Sequence, residues 1–149
     1  MREILFRGKA NGGCCWVYGH YAVLNDGYRP DWKRHYLLSG ELRYNDQYGK
    51  EDIRKVEIDP NTLGQYTGLK DKNGQRIYEG DIVECWSEGV NAKGTVQQRK
   101  DGMWIIYPAW QKLIMWSLCP DEHCNTTVEV IGNIHDNPEL IGGADDENA

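Results

Sequence analysis

Residues 64–83 read GQYTGLKDKNGQRIYEGDIV, and the turn chemistry inside this stretch decides the fold class. Asn73-Gly74 lies between two segments able to extend, and both central residues of a tight type I′ turn need positive φ, which Asn and Gly tolerate best. The expectation is a β-hairpin with its tip at Asn73-Gly74. Beyond that tip, residues 77–86 extend again, with Gly80-Asp81 as a bend or bulge before Ile82, Val83, Cys85 and Trp86. Lys100-Asp101-Gly102 is a second hairpin signal, flanked by extended segments at 94–98 and 103–107. Two consecutive hairpins predict a curled meander.

Working outward, the rest of the chain repeats the pattern of short extended segments punctuated by Gly, Asn and Asp, with no long apolar run of helical period. An opening strand around Ile4 and Phe6 is followed by a turn at Asn11-Gly12-Gly13 and an aromatic strand at 16–24. Asn25-Asp26-Gly27 turns the chain again, residues 35–39 form another strand, 45–52 read as a polar loop, and 53–58 extend once more. Asp59-Pro60-Asn61 ends that segment, because Pro cannot donate to a ladder and disfavours helix at Asp59. Residues 110–118 are an apolar run read as a strand, and 126–134 a final strand rich in β-branched residues. Asn137-Pro138-Glu139 opens a helical turn, with Asn as N-cap and Pro at the first helical position. The small, acidic residues 142–149 read as a frayed tail. The expected fold is therefore all-β or β-dominated: a small SH3-like or pseudo-barrel of short antiparallel strands over 61–141, an N-terminal β-rich lobe over 1–60, and a short C-terminal helical turn.

The same central stretch resembles the core motif of the YopX family, small proteins encoded largely by phages and prophages. The opening residues Met1 to Gly8, MREILFRG, and the closing residues Val128 to Leu140, VEVIGNIHDNPEL, resemble that family's first strand and last segment in the right order. Residues 9–58 and 103–127 do not match. The resemblance implies a β-rich fold and a mobile-element origin, and it supplies no established activity or catalytic residues. The motif residues Gln65, Tyr66, Thr67, Gly68, Asp71, Gly74, Tyr78, Gly80 and Asp81 are read as architecture.

At 149 residues the chain suits one domain, or one domain with a smaller lobe, and folding at this size buries about 70% of the unfolded chain's surface. Six Trp and nine Tyr against one Phe put much of the apolar area into rings that carry a polar atom, suited to half-buried sheet faces and interfaces. The net charge of −6, from 17 basic and 23 acidic side chains, opposes the phosphate attraction that dominates non-specific nucleic-acid binding. Without Asp145, Asp146 and Glu147 it is still −3. An N-terminus without an apolar core, five Cys, and no apolar run near the ~20 residues of a membrane helix predict a cytoplasmic protein with reduced thiols and no membrane contact. On a strand, adjacent Cys14 and Cys15 would point to opposite faces, one packed and one outward.

Three constellations carry possible chemistry. Lys70, Lys72, Arg76, Lys93, Arg99 and Lys100 supply cations around glycine turns, a local basic face for phosphate. Cys119, His123 and Cys124 bring two thiols and an imidazole within one loop, ligand types that suit zinc, although no second pair completes a four-ligand site. Cys119 or Cys124 beside His123 is also the sole local thiol–imidazole pair for nucleophilic catalysis. Asp71, Glu79, Asp81 and Glu84 are the acid–base candidates, each with a plainer use: Asp71 in a turn, Asp81 in a bend, the two Glu facing solvent. Trp86, Trp104, Trp110 and Trp116, with Tyr66, Tyr78 and Tyr107, read as core and subunit contact in preference to an exposed stacking stripe. The expectation is a non-catalytic binding or assembly protein without a cofactor, a homo-oligomer acting on a host or phage protein. The alternatives are a nucleic-acid-binding regulator and a thiol- or metal-dependent enzyme.

Overall fold

A computed structural model describes residues 3–29, 31–42, 51–87, 90–107, 116–118, 120 and 122–141. The chain is strand-dominated and divides into two units, Glu3–Gln65 and Tyr66–Ala149.

In the first unit β1 (Phe6–Lys9), β2 (Trp16–Asn25), β3 (Lys33–Leu42) and β4 (Glu51–Glu57) follow one another as an antiparallel meander. The opening strand thus begins at Phe6, β3 is longer than the sequence pattern suggests, and Glu51 and Asp52 already belong to β4. The predicted loop at 45–50 lies outside the described residues. A 3-10 turn at Pro60–Thr62 follows β4, with Asp59 accepting the Asn61 amide at its N-cap, and Gly64 and Gln65 beyond it pair with Arg7 and Phe6 on the free edge of β1. Strand alternation sends Phe6, Val17, Tyr21, His35, Leu37 and Val56 to one face and Arg7, Lys9, Trp16, Tyr18, His20, Leu24, Arg34, Tyr36, Ile53 and Lys55 to the other. Leu37, 1% exposed, marks the first face as the packed one. Gly19 sits where the backbones come close: a Cβ there would stand 2.3 Å from the Leu38 carbonyl oxygen.

The second unit starts within β5 (Gly64–Lys70), whose later residues pair with β6 (Arg76–Tyr78) in the hairpin read from the sequence. A five-stranded antiparallel sheet follows, made of β7 (Asp81–Ser87), β8 (Val90–Gln98), β9 (Trp104–Tyr107), β10 (Trp116–Ser117) and β11 (Glu129–Asn133), in the order β10-β9-β8-β7-β11. The core lies on this sheet: Ile77, Val83, Cys85, Ala92, Val96, Trp104, Ile106, Leu118 and Val128 form one buried cluster. A short helical turn at 139–141 closes the described chain.

The β-dominated fold of short antiparallel strands is the one expected, but among the described residues of 61–141 the strands do not close into a barrel. Closure would require β11 to reach β10, and β11 instead adds to the free edge of β7 through Glu129↔Glu84 and Val130↔Val83, with a bulge before Gly132. The sheet is left open, with β10 and β11 at its two ends. Asn137 is also used differently from a helix cap: its Oδ1 accepts the amide of Asn133, back toward β11. The tail at 142–149, and most of the apolar run at 110–118, lie outside the described residues.

Candidate binding surface

The motif residues explain themselves first. Asp71 is 1% exposed, and its carboxylate accepts the amides of Asn73 at 2.9 Å and Gln75 at 2.8 Å on one oxygen and that of Val130 at 3.1 Å on the other. Those three bonds fold the turn and fasten it to β11. Thr67 donates its hydroxyl to the Ile77 carbonyl and accepts the Leu69 amide, locking β5 to β6. Tyr66 and Tyr78 meet edge to face at 5.5 Å in the buried interior. Gly80, in the left-handed region at φ 89°, donates to Val96 and accepts from Ile134, and Asp81, buried, accepts the Tyr78 amide at 2.8 Å. Asp71 and Asp81 therefore serve as backbone acceptors, an arrangement that builds turns and leaves neither carboxylate facing a cleft.

The six predicted phosphate-binding cations do not assemble into one face. Lys70 and Arg76 oppose each other across β5 and β6, and the Arg76 guanidinium lies 5.4 Å from the Tyr66 ring centroid. Lys72 pairs with Glu129 at 3.3 Å and Arg99 with Asp101 at 3.1 Å. Lys93 sits opposite Glu84 and is six positions from Arg99 and seven from Lys100, about 20 Å along an extended chain. Carboxylates thus accompany three of the six.

The loop proposed for metal or thiol chemistry is only partly described, since Cys119 and Asp121 lie outside. His123 and Cys124 are exposed, with the imidazole 3.7 Å from Glu122, and Cys124 takes a left-handed backbone conformation at φ 64°. Among the described residues no three His, Cys, Asp or Glu side chains converge as a metal site. Cys85 is buried, and burial followed by the nearby Glu84 charge pushes its thiol up to about 11, the opposite of what a nucleophile needs.

Of the rings that the sequence reading named, Tyr107 is exposed, at 37%, and further exposed rings lie on residues it did not name. Trp104, Tyr66 and Tyr78 are core, and Trp110 lies outside the described residues. The other face of the first unit's sheet carries instead a set of ring and cation pairs, buried at Arg7 and half-buried at Trp16 and Tyr36: the Arg7 guanidinium 4.7 Å and the Lys9 ammonium 5.4 Å from the Trp16 ring, and Lys55 4.8 Å from Tyr36. Tyr18, Leu24 and Ile53 are exposed on the same face. Arg34, opposite Leu24 of β2 and two positions before Tyr36 in β3, is held firmly charged by hydrogen bonding to Tyr36 and by the carboxylates of Glu57 and Asp26. The loop from β2 to β3 adds Tyr28, 98% exposed, and Trp32, 57% exposed, with Arg29 4.3 Å over the Trp32 ring. Asp26 fixes that loop by accepting the Tyr28 amide, which with the Arg29 amide and Arg34 holds its carboxyl below the usual range. The sequence signal for this face was the even spacing of Trp16, Tyr18 and His20 beside the odd spacing of Arg7 and Lys9 on a paired strand.

Charge divides along the same line: residues 1–65 carry ten Lys and Arg against nine Asp and Glu, +1, while residues 66–149 carry seven against fourteen, −7. No helix among the described residues is long and apolar enough to cross a membrane.

Comparison with known proteins adds a family. The model of the YopX protein family matches residues 6–142, a span that takes in residues 9–58 and 103–127, which the motif resemblance left unmatched. The chain belongs to the YopX family. The β-rich fold implied by the motif resemblance is the fold observed, and the family's motif residues are those that tie its turns together. Among solved structures, this YopX protein is similar to protein EF1440 from Enterococcus faecalis at 22% identity and a TM-score of 0.49, over 95% of this chain and 99% of the other. No curated protein matches it.

Proposed function

We propose that this YopX protein is a non-catalytic binding protein, phage-derived and working in the cytosol, that engages a host or phage protein through the outward face of its N-terminal sheet. The observation that carries this reading is the exposure of Tyr18, Leu24 and Ile53 beside Arg34, Tyr36 and Lys55 on one face, the mixture of aromatic, aliphatic and arginine side chains that dominates protein contacts. A protein partner suits this face better than a nucleic acid. Cations already cover the Trp16 and Tyr36 rings on which bases would stack, and Arg34 is tied to two carboxylates. Self-association through the same face belongs to this class of behaviour and is separated by the experiment.

The test is site-specific photo-crosslinking, with benzoylphenylalanine placed at Tyr18, at Trp32 and, as a control on the second unit, at Lys100. Irradiation in a bacterial host should give a discrete protein adduct from Tyr18 that is absent from Lys100 and lost in an Ile53→Glu background. An adduct that nuclease removes would overturn the reading in favour of a nucleic-acid-binding regulator. Equal adducts at all three positions would mean that the face is not selective, and an adduct only with a second copy of the chain would replace the partner by self-assembly.

A further inference from the structure

Cys14 and Cys15 follow the glycine turn between β1 and β2 and do not behave as adjacent strand residues would. They precede β2, both are exposed, and their sulfurs stand 3.3 Å apart, sharing a hydrogen bond. The expectation of one packed and one outward thiol is corrected by this turn, which turns both side chains to solvent. Two backbone bonds hold the hairpin: the Ala10 amide donates to the Cys15 carbonyl at 3.0 Å and the Gly13 amide to the Ala10 carbonyl at 2.8 Å. Both side chains are open to solvent.

We propose that Cys14 and Cys15 are a vicinal dithiol site that captures a soft thiophilic centre able to form two bonds to sulfur, of the trivalent arsenical class. The sulfur separation supports this choice. Two thiolates on one tetrahedral zinc at about 2.3 Å would stand roughly 3.8 Å apart, whereas a trigonal-pyramidal centre with bond angles near a right angle draws them closer. Soft thiolates select soft partners. In the capture step two As–S bonds form and the As=O bond breaks. The oxygen leaves as water with the two thiol protons, and neither arsenic nor sulfur changes oxidation state. Among the other described thiols Cys85 is buried and Cys124 stands exposed in another loop.

The full chain, treated with phenylarsine oxide and challenged with excess glutathione, is read by intact mass. The expected result is one phenylarsenic adduct per chain that resists the monothiol and is removed by 2,3-dimercaptopropanol. Cys14→Ser or Cys15→Ser should each abolish the resistant adduct, while Cys124→Ser keeps it. Both substituted residues are exposed, so the far-UV circular dichroism of the variants should be unchanged. Retention in the Cys14→Ser and Cys15→Ser variants with loss in Cys124→Ser would overturn the assignment and move the site to the 119–124 loop. Loss of the wild-type adduct to glutathione as fast as from the Ser variants would show that the pair does not chelate.

Discussion

In both hairpins of the second unit the chain reverses over five residues with the same hydrogen bonds. From Asp71 to Gln75 the first amide donates to the last carbonyl at 2.8 Å and Gly74 donates back to Asp71 at 3.0 Å, and from Arg99 to Met103 the equivalent bonds are both 2.9 Å. Gly74 and Gly102 take left-handed conformations, φ 82° and 90°. Each is a type I turn followed by a glycine bulge. What differs is the acid. Asp71 opens its turn from the interior and reaches a third strand at Val130, whereas Asp101 sits mid-turn at the surface, where its carboxylate accepts the Met103 amide and pairs with Arg99. Local sequence fixes the shape of a turn, and burial decides whether its acid holds the fold or merely decorates it.

The largest test of that contrast is Asp71→Ala. It removes the buried acceptor of three part-buried amide donors, where a bond to a charged acceptor contributes ~1.5–3 kcal/mol and an unsatisfied buried donor costs ~1–3 kcal/mol. These terms overlap, so the expected loss is about 4 kcal/mol, read as a lowered denaturant midpoint. The β7–β11 pairing should loosen with it, visible as faster amide exchange at Val130. A loss no greater than that of Asp101→Ala would break the comparison.

These two turns also show how far the sequence could be read. The positions of the hairpins were legible because Asn-Gly and Asp-Gly punctuate extended segments, but the turn type was not. A type I′ tip requires positive φ at Asn73, and among the described non-glycine residues only Cys124 has it; the same five-residue reversal forms at 99–103, where Arg99 stands in the place of Asp71, so the carboxylate fastens the turn without choosing its type. The strands themselves were legible by alternation, whereas the order β10-β9-β8-β7-β11 was not, because pairing between β7 and β11, distant in sequence, leaves no local trace. The binding face was half legible. Alternation places Tyr18 and Tyr36 together, but only the burial of Leu37 on the opposite side says which face is outward. Cys14 and Cys15 were misread because strand alternation was applied to residues that belong to a turn.

A smaller effect should be shared by the two hairpins. Nothing lies within 4 Å of a Cβ built on Gly74, and only the flexible end of Gln98 comes that near at Gly102, at 4.0 Å. Substitution by Ala therefore meets no steric obstacle, and its cost is the left-handed backbone conformation alone, ~1–2 kcal/mol. Gly74→Ala and Gly102→Ala are expected to lower stability by equal amounts within error in equilibrium unfolding. A much larger loss at Gly74 would mean that the buried turn transmits strain through Asp71, sharpening the contrast instead of erasing it.

The smallest effect belongs to Asp101→Ala. Its carboxylate accepts the Met103 amide at 3.1 Å and pairs with Arg99 at 3.1 Å, both partners being exposed. Water replaces the first interaction when the side chain is removed, and exposed ion pairs contribute little because solvent and salt screen them. The expected loss is about 0.5 kcal/mol, and Arg99→Ala in the same chain should add almost nothing to it. Because Gly102 keeps its conformation and the two backbone bonds of the turn remain, the β8–β9 register of Gln98↔Trp104 should persist. That register is the discriminating readout: if removal of Asp101 shifts the Trp104 environment seen by fluorescence, the surface acid fastens the turn as Asp71 does, and the two hairpins differ only in depth.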